Sequence, residues 1–346
     1  VKAPTTDQAL RRLLDEGRSR AQAVGPDHLR LWDALARGAE GGKRFRPALV
    51  VAAHDALDGT RRAAAVQVGA AVELLHTALV VHDDVIDGDE VRRGRPNVNG
   101  TFRARALAEG ATSAGADTLG RTAGILAGDL ALTAAVRAVA TCGAPGAVTA
   151  RLLDLLDEAL HTTAAGELAD VQLSLGLQDA TPEESLAMAE RKTSAYSFAL
   201  PLQAGAVLAG ADEETLRGLG EAGRVVGTSF QLVDDLLGVF GDPARTGKSS
   251  TSDLREAKQT PLLVHARSTP EWPLIQPLVG CDLGASQLAE VRSLLTRSGS
   301  RAFVEELAAS HHAAAVLVVE GLGLPVEVLG PLASLHAALG DRGAAA

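Results

Sequence analysis

Aromatic residues are scarce in this chain: six Phe, two Trp and one Tyr among 346 residues. A core of the size this length implies must then be filled by Ala, Leu and Val, which favours close-packed helices. Cysteine is scarcer still. Cys142 and Cys281 stand alone with no CxxC, which excludes a disulfide framework and a cysteine-built zinc site and points to a reducing cytoplasm. Positive charge is in deficit at a net −10, which argues against nucleic acid as a partner. The opening Val1-Lys2-Ala3-Pro4-Thr5 has no apolar signal region. The apolar stretch 63–81 is broken by Gln67, Glu73 and His76, so no transmembrane segment is expected. Alternating Val/Ile/Thr runs bounded by Asn-Gly turns are missing, which leaves little room for strands.

Lysine is the rarest charged residue, five against 28 Arg. Apart from Lys2, each falls in a segment singled out on other grounds: Lys43, Lys192, Lys248 and Lys258. A Lys kept in an Arg-rich chain marks a place for a compact ammonium rather than a planar fork.

What is present is helical periodicity. Apolar residues recur at helical spacing over 44–58, 61–87, 119–141, 147–176, 183–209, 212–240, 258–267, 285–298, 300–321 and 325–340, after a polar amphipathic opening at 5–22. Thr181-Pro182-Glu183-Glu184 is a helix start, with an N-cap, Pro at the first position and acids in the first turn. Residues 106–118 read as a Gly/Ala/Ser-rich loop, 241–257 as a polar loop and 268–284 as a Pro-rich connector. The class is all-α, and the simplest architecture is one large helical bundle, a single domain over 1–346.

Two aspartate pairs carry the chemistry. His82-Asp83-Asp84-Val85-Ile86-Asp87 ends one apolar helix, and Gln231-Leu232-Val233-Asp234-Asp235-Leu236-Leu237-Gly238 lies in another. Asp83, Asp84 and Asp87 share a helical face, as do Gln231, Asp234 and Asp235. Hard oxygens grouped this way suit Mg²⁺, which completes its shell with water and phosphate oxygens. Arg92-Arg93-Gly94-Arg95-Pro96 follows the first pair, and guanidinium beside metal is what gripping a diphosphate requires. Gly238 stands where the first motif has its third aspartate, and Asp242, eight residues after Asp234, is one candidate to fill the gap.

Together with Gly41-Gly42-Lys43-Arg44-Phe45-Arg46-Pro47, Glu73 to His76, Ala127-Gly128-Asp129, Lys192-Thr193, Phe230-Gln231, and Asp253 to Pro261, these motifs resemble the trans-prenyl diphosphate synthases, also called polyprenyl synthetases, most like the bacterial geranylgeranyl diphosphate synthases. The motif-bearing core spans about 40–262. The resemblance implies an all-α isoprenoid-synthase bundle with a central cavity, a homodimer, and head-to-tail condensation of isopentenyl diphosphate with an allylic diphosphate. It implies metal ligation by Asp83, Asp84, Asp87, Asp234 and Asp235, with three Mg²⁺ ions when substrate is bound. Arg92, Lys192, Gln231, Lys248 and Lys258 would neutralise the leaving diphosphate, and Thr193 would steady the developing cation. Lys43, Arg46, His76 and Arg93 would hold the second diphosphate. Ala78, Leu79 and Leu75 would line the chain-growth cavity. The small Ala78 then favours a C20 product or longer over C15. Asn97 and Asn99 depart from the family's common Thr and His.

Rival readings are a terpene cyclase of the same fold, a farnesyl diphosphate synthase and a non-catalytic modulating subunit. A cyclase wants aromatic faces for its cations, of which this chain has few. A modulating subunit should have lost more of the acidic and basic residues than the one position at Gly238.

Overall fold

A computed structural model describes residues 5–176, 179–241 and 252–332. Among them the chain is almost wholly helical, as its composition predicts: α1 Thr6–Val24, α2 Pro26–Gly38, α3 Phe45–Ala56, α4 Arg62–Ile86, α5 Val98–Ala108, α6 Ser113–Ala140, α7 Gly146–Ser174 and α8 Pro182–Ala189. A π-helical segment, Glu190–Ala199, runs into α9 Leu200–Ala209, followed by α10 Glu213–Phe240. Four more are α11 Ser252–Arg255, α12 Pro261–Arg267, α13 Trp272–Ile275 and α14 Ala285–Arg297, with α15 at Ser300–Gly321. Short 3₁₀ turns at Gln276–Leu278 and Val326–Leu332 complete the described chain.

The described residues fall into two compact units. One is drawn from Val1–Leu155 and Ala204–Ala211, the other from Leu156–Gln203 and Asp212–Ala346.

In the first unit α4 packs against α3 and α6, and α5 lies on α6. Small residues make this possible. On α6, Gly120, Gly124 and Gly128 repeat every four residues and so line one face. A Cβ at these positions would meet Asn99 Oδ1 at 2.4 Å, Val85 Cγ2 at 2.2 Å and His82 Nε2 at 2.1 Å respectively. The glycines are therefore required by close approach, at a helix-propensity cost of about 1 kcal/mol each. The scarce aromatics work in the same way. Trp32 of α2 is 4% exposed, fills the space over Gly17 of α1 and donates its indole N–H to Leu14 O at 2.8 Å.

In the second unit α10 packs against α15 and against the π-helical segment. Leu232, Leu236, Leu254, Leu262, Leu295 and Val304 lie at its centre, each nearly or fully buried. Burial on that scale contributes about 2 kcal/mol per leucine. On α10, Gly223 faces Ala199 and Gly227 faces Ser194, in both cases closer than a side chain would allow.

Two readings of the sequence are corrected. The stretch 106–118 is not a loop: α5 runs to Ala108 and α6 begins at Ser113, leaving only 109–112 between them. The Gly, Ala and Ser residues that suggested a loop include the start of α6, residues 113–118. Strands stay as few as expected, and among the described residues they amount to one hairpin pairing Val91–Arg92 with Arg95–Pro96. Finally, α4, α6 and α15 are each long and apolar enough to cross a membrane by length and composition, so Gln67, Glu73 and His76 do not take α4 below that threshold. In α4, 78% of the apolar window is buried within the structure.

Candidate active site

The first aspartate motif closes α4. Asp83 and Asp84 occupy its last turn and Asp87 is its C-cap, with the Asp87 N–H bonded to Asp83 O at 2.9 Å. Carboxylates at a helix C-terminus face the negative end of the dipole, which raises their need for a cation. The hairpin supplies one. Its turn residues Arg93 and Gly94 both have positive φ, 54° and 72°, the two-residue geometry that suits a hairpin's twist. The turn folds Arg92 back onto α4, where Nε donates to Asp84 Oδ1 at 2.6 Å and Nη2 to Asp83 Oδ2 at 3.1 Å. Asp84 is buried, Asp83 partly so, and Asp87 exposed. Burial pushes the Asp84 carboxyl up to about 6, and the opposing pull of Arg92 does not restore it.

Asn97 and Asn99 hold this hairpin in place. Both donate through Nδ2 to Asp89 O, at 2.8 and 3.0 Å, and Asn97 also caps α5 by accepting from Gly100 N. Behind the motif, His82 Nε2 sits 3.4 Å from Asp129 Oδ1 over Gly128. The sequence reading matched Ala127-Gly128-Asp129 without giving it this contact.

A cationic cluster adjoins the motif in the same unit. His76, two turns before Asp83 on α4, is pushed well below the ordinary histidine value, first by burial and then by Arg46, Arg93, Arg92 and Arg44. The ring is therefore neutral among guanidinium groups, an arrangement suited to an anion. Arg46 is buried and lies over the Phe45 ring at 4.4 Å, and Lys43 is exposed. Arg93 packs on the Gly41-Gly42 turn and donates to Glu40 O at 2.9 Å. Arg44 has a different task. It takes a left-handed φ of 54°, caps α3, and ties the turn to α4 through Glu73 Oε1 at 2.6 Å and to the end of α2 through Ala39 O at 2.6 Å.

The second unit gathers the other motif. Lys192 lies in the π-helical segment, held by Asp170 at 2.6 Å and Glu167 at 3.1 Å on α7. Gly166 lets that backbone approach: a Cβ there would be 2.3 Å from Lys192 N. Thr193 Oγ1 and Gln231 Oε1 are 2.9 Å apart, and Gln231 donates through Nε2 to Asp235 Oδ1 at 2.8 Å. A π-helical insertion re-aims side chains and recurs at functional sites; here it brings Thr193 to Gln231. Asp235 is 7% exposed, and its carboxyl is pushed well above the ordinary value by desolvation, then by Asp253, against the pull of Gln231, and further by Asp234 and Asp170. Lys258 pairs with Glu256 at 3.3 Å. Lys248 and Asp242 lie outside the described residues. On α4, Ala78 and Leu75 are buried and Leu79 partly so.

Among the described residues no three His, Cys, Asp or Glu side chains are already drawn together as a ligand set. The donor chemistry nonetheless fits a hard divalent cation. Asp84 and Asp235 are buried carboxyls held up by desolvation, and Asp235 is crowded by three more acids. That is the surplus of negative oxygen a magnesium ion would relieve.

The polyprenyl synthetase family matches residues 31–293. An octaprenyl diphosphate synthase of Escherichia coli K12 is 33% identical over 263 residues, 75% of this chain and 74% of that protein. A (2E,6E)-farnesyl diphosphate synthase of Mycobacterium tuberculosis H37Rv is 33% identical over 309 residues, 87% of this chain and 80% of that protein. A geranylgeranyl pyrophosphate synthase structure from Corynebacterium glutamicum, complexed with isoprenyl diphosphate and magnesium, is 29% identical at a TM-score of 0.87 and covers 96% of each chain.

Proposed function

The chain belongs to the polyprenyl synthetase family and is a trans-prenyl diphosphate synthase; we propose that it joins isopentenyl diphosphate to an allylic diphosphate and makes geranylgeranyl diphosphate (C20) or a longer product. The observation that carries this reading is the pairing, on one helix, of an acid cluster at Asp83 and Asp84 with an arginine-ringed His76 two turns away. One suits a metal-borne diphosphate and the other a diphosphate held by cations alone.

In this proposal Asp83, Asp84, Asp87, Asp234 and Asp235 hold Mg²⁺, three ions when the allylic substrate is present. The metal, when bound, neutralises the allylic diphosphate and makes it a better leaving group. Arg92 has donors beyond the two given to Asp84 and Asp83 and offers them to diphosphate oxygens. Lys192, Lys248 and Lys258 add positive charge. Gln231, oriented by Thr193 and Asp235, presents a fixed amide to the same group. Thr193 oxygen and nearby carbonyls steady the allylic cation.

Lys43, Arg46, His76 and Arg93 seat isopentenyl diphosphate, so that its double bond faces the carbon losing diphosphate. The carbon–oxygen bond breaks with its electrons leaving on diphosphate. The isopentenyl double bond supplies the electrons of the new carbon–carbon bond, and the resulting cation loses a proton to the released diphosphate. Preorganised charge around the leaving group supplies most of the acceleration. In this proposal the small Ala78, buried beside Leu75, does not bound the growing chain as a larger side chain there would.

We also propose that both units act as one catalytic domain, in a cytoplasmic homodimer. On α6, Leu119, Ile125, Leu126 and Val136 are 37–49% exposed along one side, a natural face for a second copy. Leu126→Asp should then halve the mass seen by light scattering; an unchanged mass would reject this face.

The decisive experiment incubates pure protein with Mg²⁺, isopentenyl diphosphate and a C5, C10 or C15 allylic diphosphate and identifies products by mass. A C20 or longer product is expected. No elongated product from any starter would overturn the synthase reading, and arrest at C15 would overturn the length.

A further inference from the structure

Between α2 and α5 the first unit holds a cavity of about 240 Å³, lined by none of the site residues described above. Helix α2 contributes Arg30, Asp33 and Arg37, and α5 contributes Thr101, Phe102 and Arg105. The spacings 30-33-37 and 101-105 each belong to one helix face. Three arginines thus converge on one hollow in a chain of net charge −10. Like charges gathered this way repel unless an anion joins them.

The chain supplies part of that anion. Asp27, in the first turn of α2, accepts from Arg30 Nη1 at 2.6 Å and from Arg105 Nη1 at 3.0 Å through the same oxygen, Oδ1. Arg105 also donates through Nε to Glu109 at 2.7 Å. Asp33 is committed elsewhere: its two oxygens accept from Arg18 of α1 at 2.8 and 3.4 Å. Arg37 is exposed and makes no ion pair among the described residues. One carboxylate oxygen therefore bridges two guanidinium groups, and the third is left over. The Asp27 side chain is 74% exposed, and an ion pair so open to water is readily exchanged for another anion.

A phosphoryl group has three acceptor oxygens and close to two negative charges, enough to engage all three guanidinium forks at once. Thr101 adds a hydroxyl beside them, and the ring of Phe102, 7% exposed, offers an apolar wall to the carbon portion of a ligand. We propose that this groove binds a small soluble phosphate monoester, held by Arg30, Arg37 and Arg105 in place of the Asp27 carboxylate. The site is distinct from the acid clusters and from the arginines around His76, and it does not rest on the synthase reading. Its ligand would bridge α2, which leads into the Gly41-Gly42 turn, and α5, which is capped by Asn97 of the hairpin, and so brace two supports of the candidate active site.

Calorimetric titration of the full chain with glycerol 3-phosphate, at constant ionic strength and without divalent metal, tests it. Arg37→Ala should weaken binding about tenfold, the loss expected for one charged hydrogen-bonding partner. Arg37→Lys keeps the charge but not the fork and should stay about threefold weaker than wild type. Asp27→Asn removes the resident carboxylate and should bind more tightly than wild type. Arg93→Ala, in the cluster beside His76, should bind as wild type does. All these positions are exposed, and circular dichroism confirms that each variant folds. Wild-type affinity in Arg37→Ala, an Asp27→Asn affinity no higher than wild type, or a greater loss in Arg93→Ala than in Arg37→Ala would overturn the proposal. Phosphatidylcholine vesicles containing phosphatidic acid present the same phosphoryl chemistry on a membrane. They should show no capture that depends on Arg37; capture of these without binding of glycerol 3-phosphate would overturn the assignment to a soluble ligand.

Discussion

Arg92 Nε lies 2.6 Å from Asp84 Oδ1, yet the Asp84 carboxyl still sits at about 6. Burial at the end of α4 outweighs the partner that the hairpin delivers. The consequence for stability has a definite sign. Below about pH 4 the carboxyl is protonated in both folded and unfolded chains. Between about pH 4 and 6 the unfolded chain gives up the proton while the folded chain keeps it, so stability falls as pH rises, and above 6 the penalty is constant. Its size is about 3 kcal/mol at most. Asp84→Asn removes the penalty. Its melting temperature should match wild type at pH 4 and exceed it by a few degrees at pH 7 without metal, while activity drops at least about 100-fold. A gap that does not change with pH, read by calorimetry across that range, would show that Asp84 is not the strained group.

Arg44 and Lys43 adjoin in sequence and should behave oppositely. Arg44 neutralises Glu73, whose side chain is 6% exposed and whose Oε2 has no hydrogen-bond partner among the described residues. Removing Arg44 leaves a buried charge uncompensated. Arg44→Ala should therefore cost about 3 kcal/mol in urea unfolding, with much of it recovered in Arg44→Ala/Glu73→Gln. Lys43→Ala, at an exposed position, should leave stability within about 0.5 kcal/mol and raise KM for isopentenyl diphosphate. Equal destabilisation by both changes would show that the turn is held by its backbone rather than by Arg44.

His76 gives a second pH signature. Its value is depressed by burial and by four arginines, so the folded protein resists protonating it. As pH falls below the ordinary 6.5, the unfolded chain binds the proton and the folded chain does not, and stability declines. Above that value the group contributes no slope. Unfolding free energies at pH 7.5 and 5.5 should differ less in His76→Gln than in wild type. Pyrophosphate, by offsetting the arginines, should also shrink the wild-type difference. The same slope in both proteins would place the pH dependence on another group.

Much of this was legible before any fold was drawn, because helix periodicity and motif spacing are local. α4 and α10 ended within a residue or two of their predicted limits. What escaped depends on partners remote in sequence. Nothing beside Lys192 announces Asp170 and Glu167, which come from α7. The π-helical register of 190–199 leaves no periodic trace in ten residues. Asn97 and Asn99 read as departures from a family pattern, and their bonds to Asp89 O give them a structural task. Residues 113–118 read as loop because small residues mean flexibility only when nothing packs against them, and here Ala116 is fully buried.

The product-length reading turns on Ala78, and its test must separate a changed cavity from a damaged fold. Ala78 is 1% exposed and Leu75 is fully buried one turn earlier on α4. Introducing Phe at 78 adds six heavy atoms to a packed helix face, and overpacking of this kind costs about 1–3 kcal/mol. A loss of total activity therefore decides nothing. The informative quantity is the ratio of products, because a destabilised enzyme makes every chain length less well, whereas a raised cavity floor stops only the later additions. With a C5 or C10 starter, Ala78→Phe should shift the main product at least one isoprene unit shorter while retaining the first condensation. Ala78→Leu, which strains the helix less, should give an intermediate distribution. If both variants fold, as judged by melting temperature, and both keep the wild-type product ratio, Ala78 does not bound the growing chain and the preference for C20 over C15 loses its support.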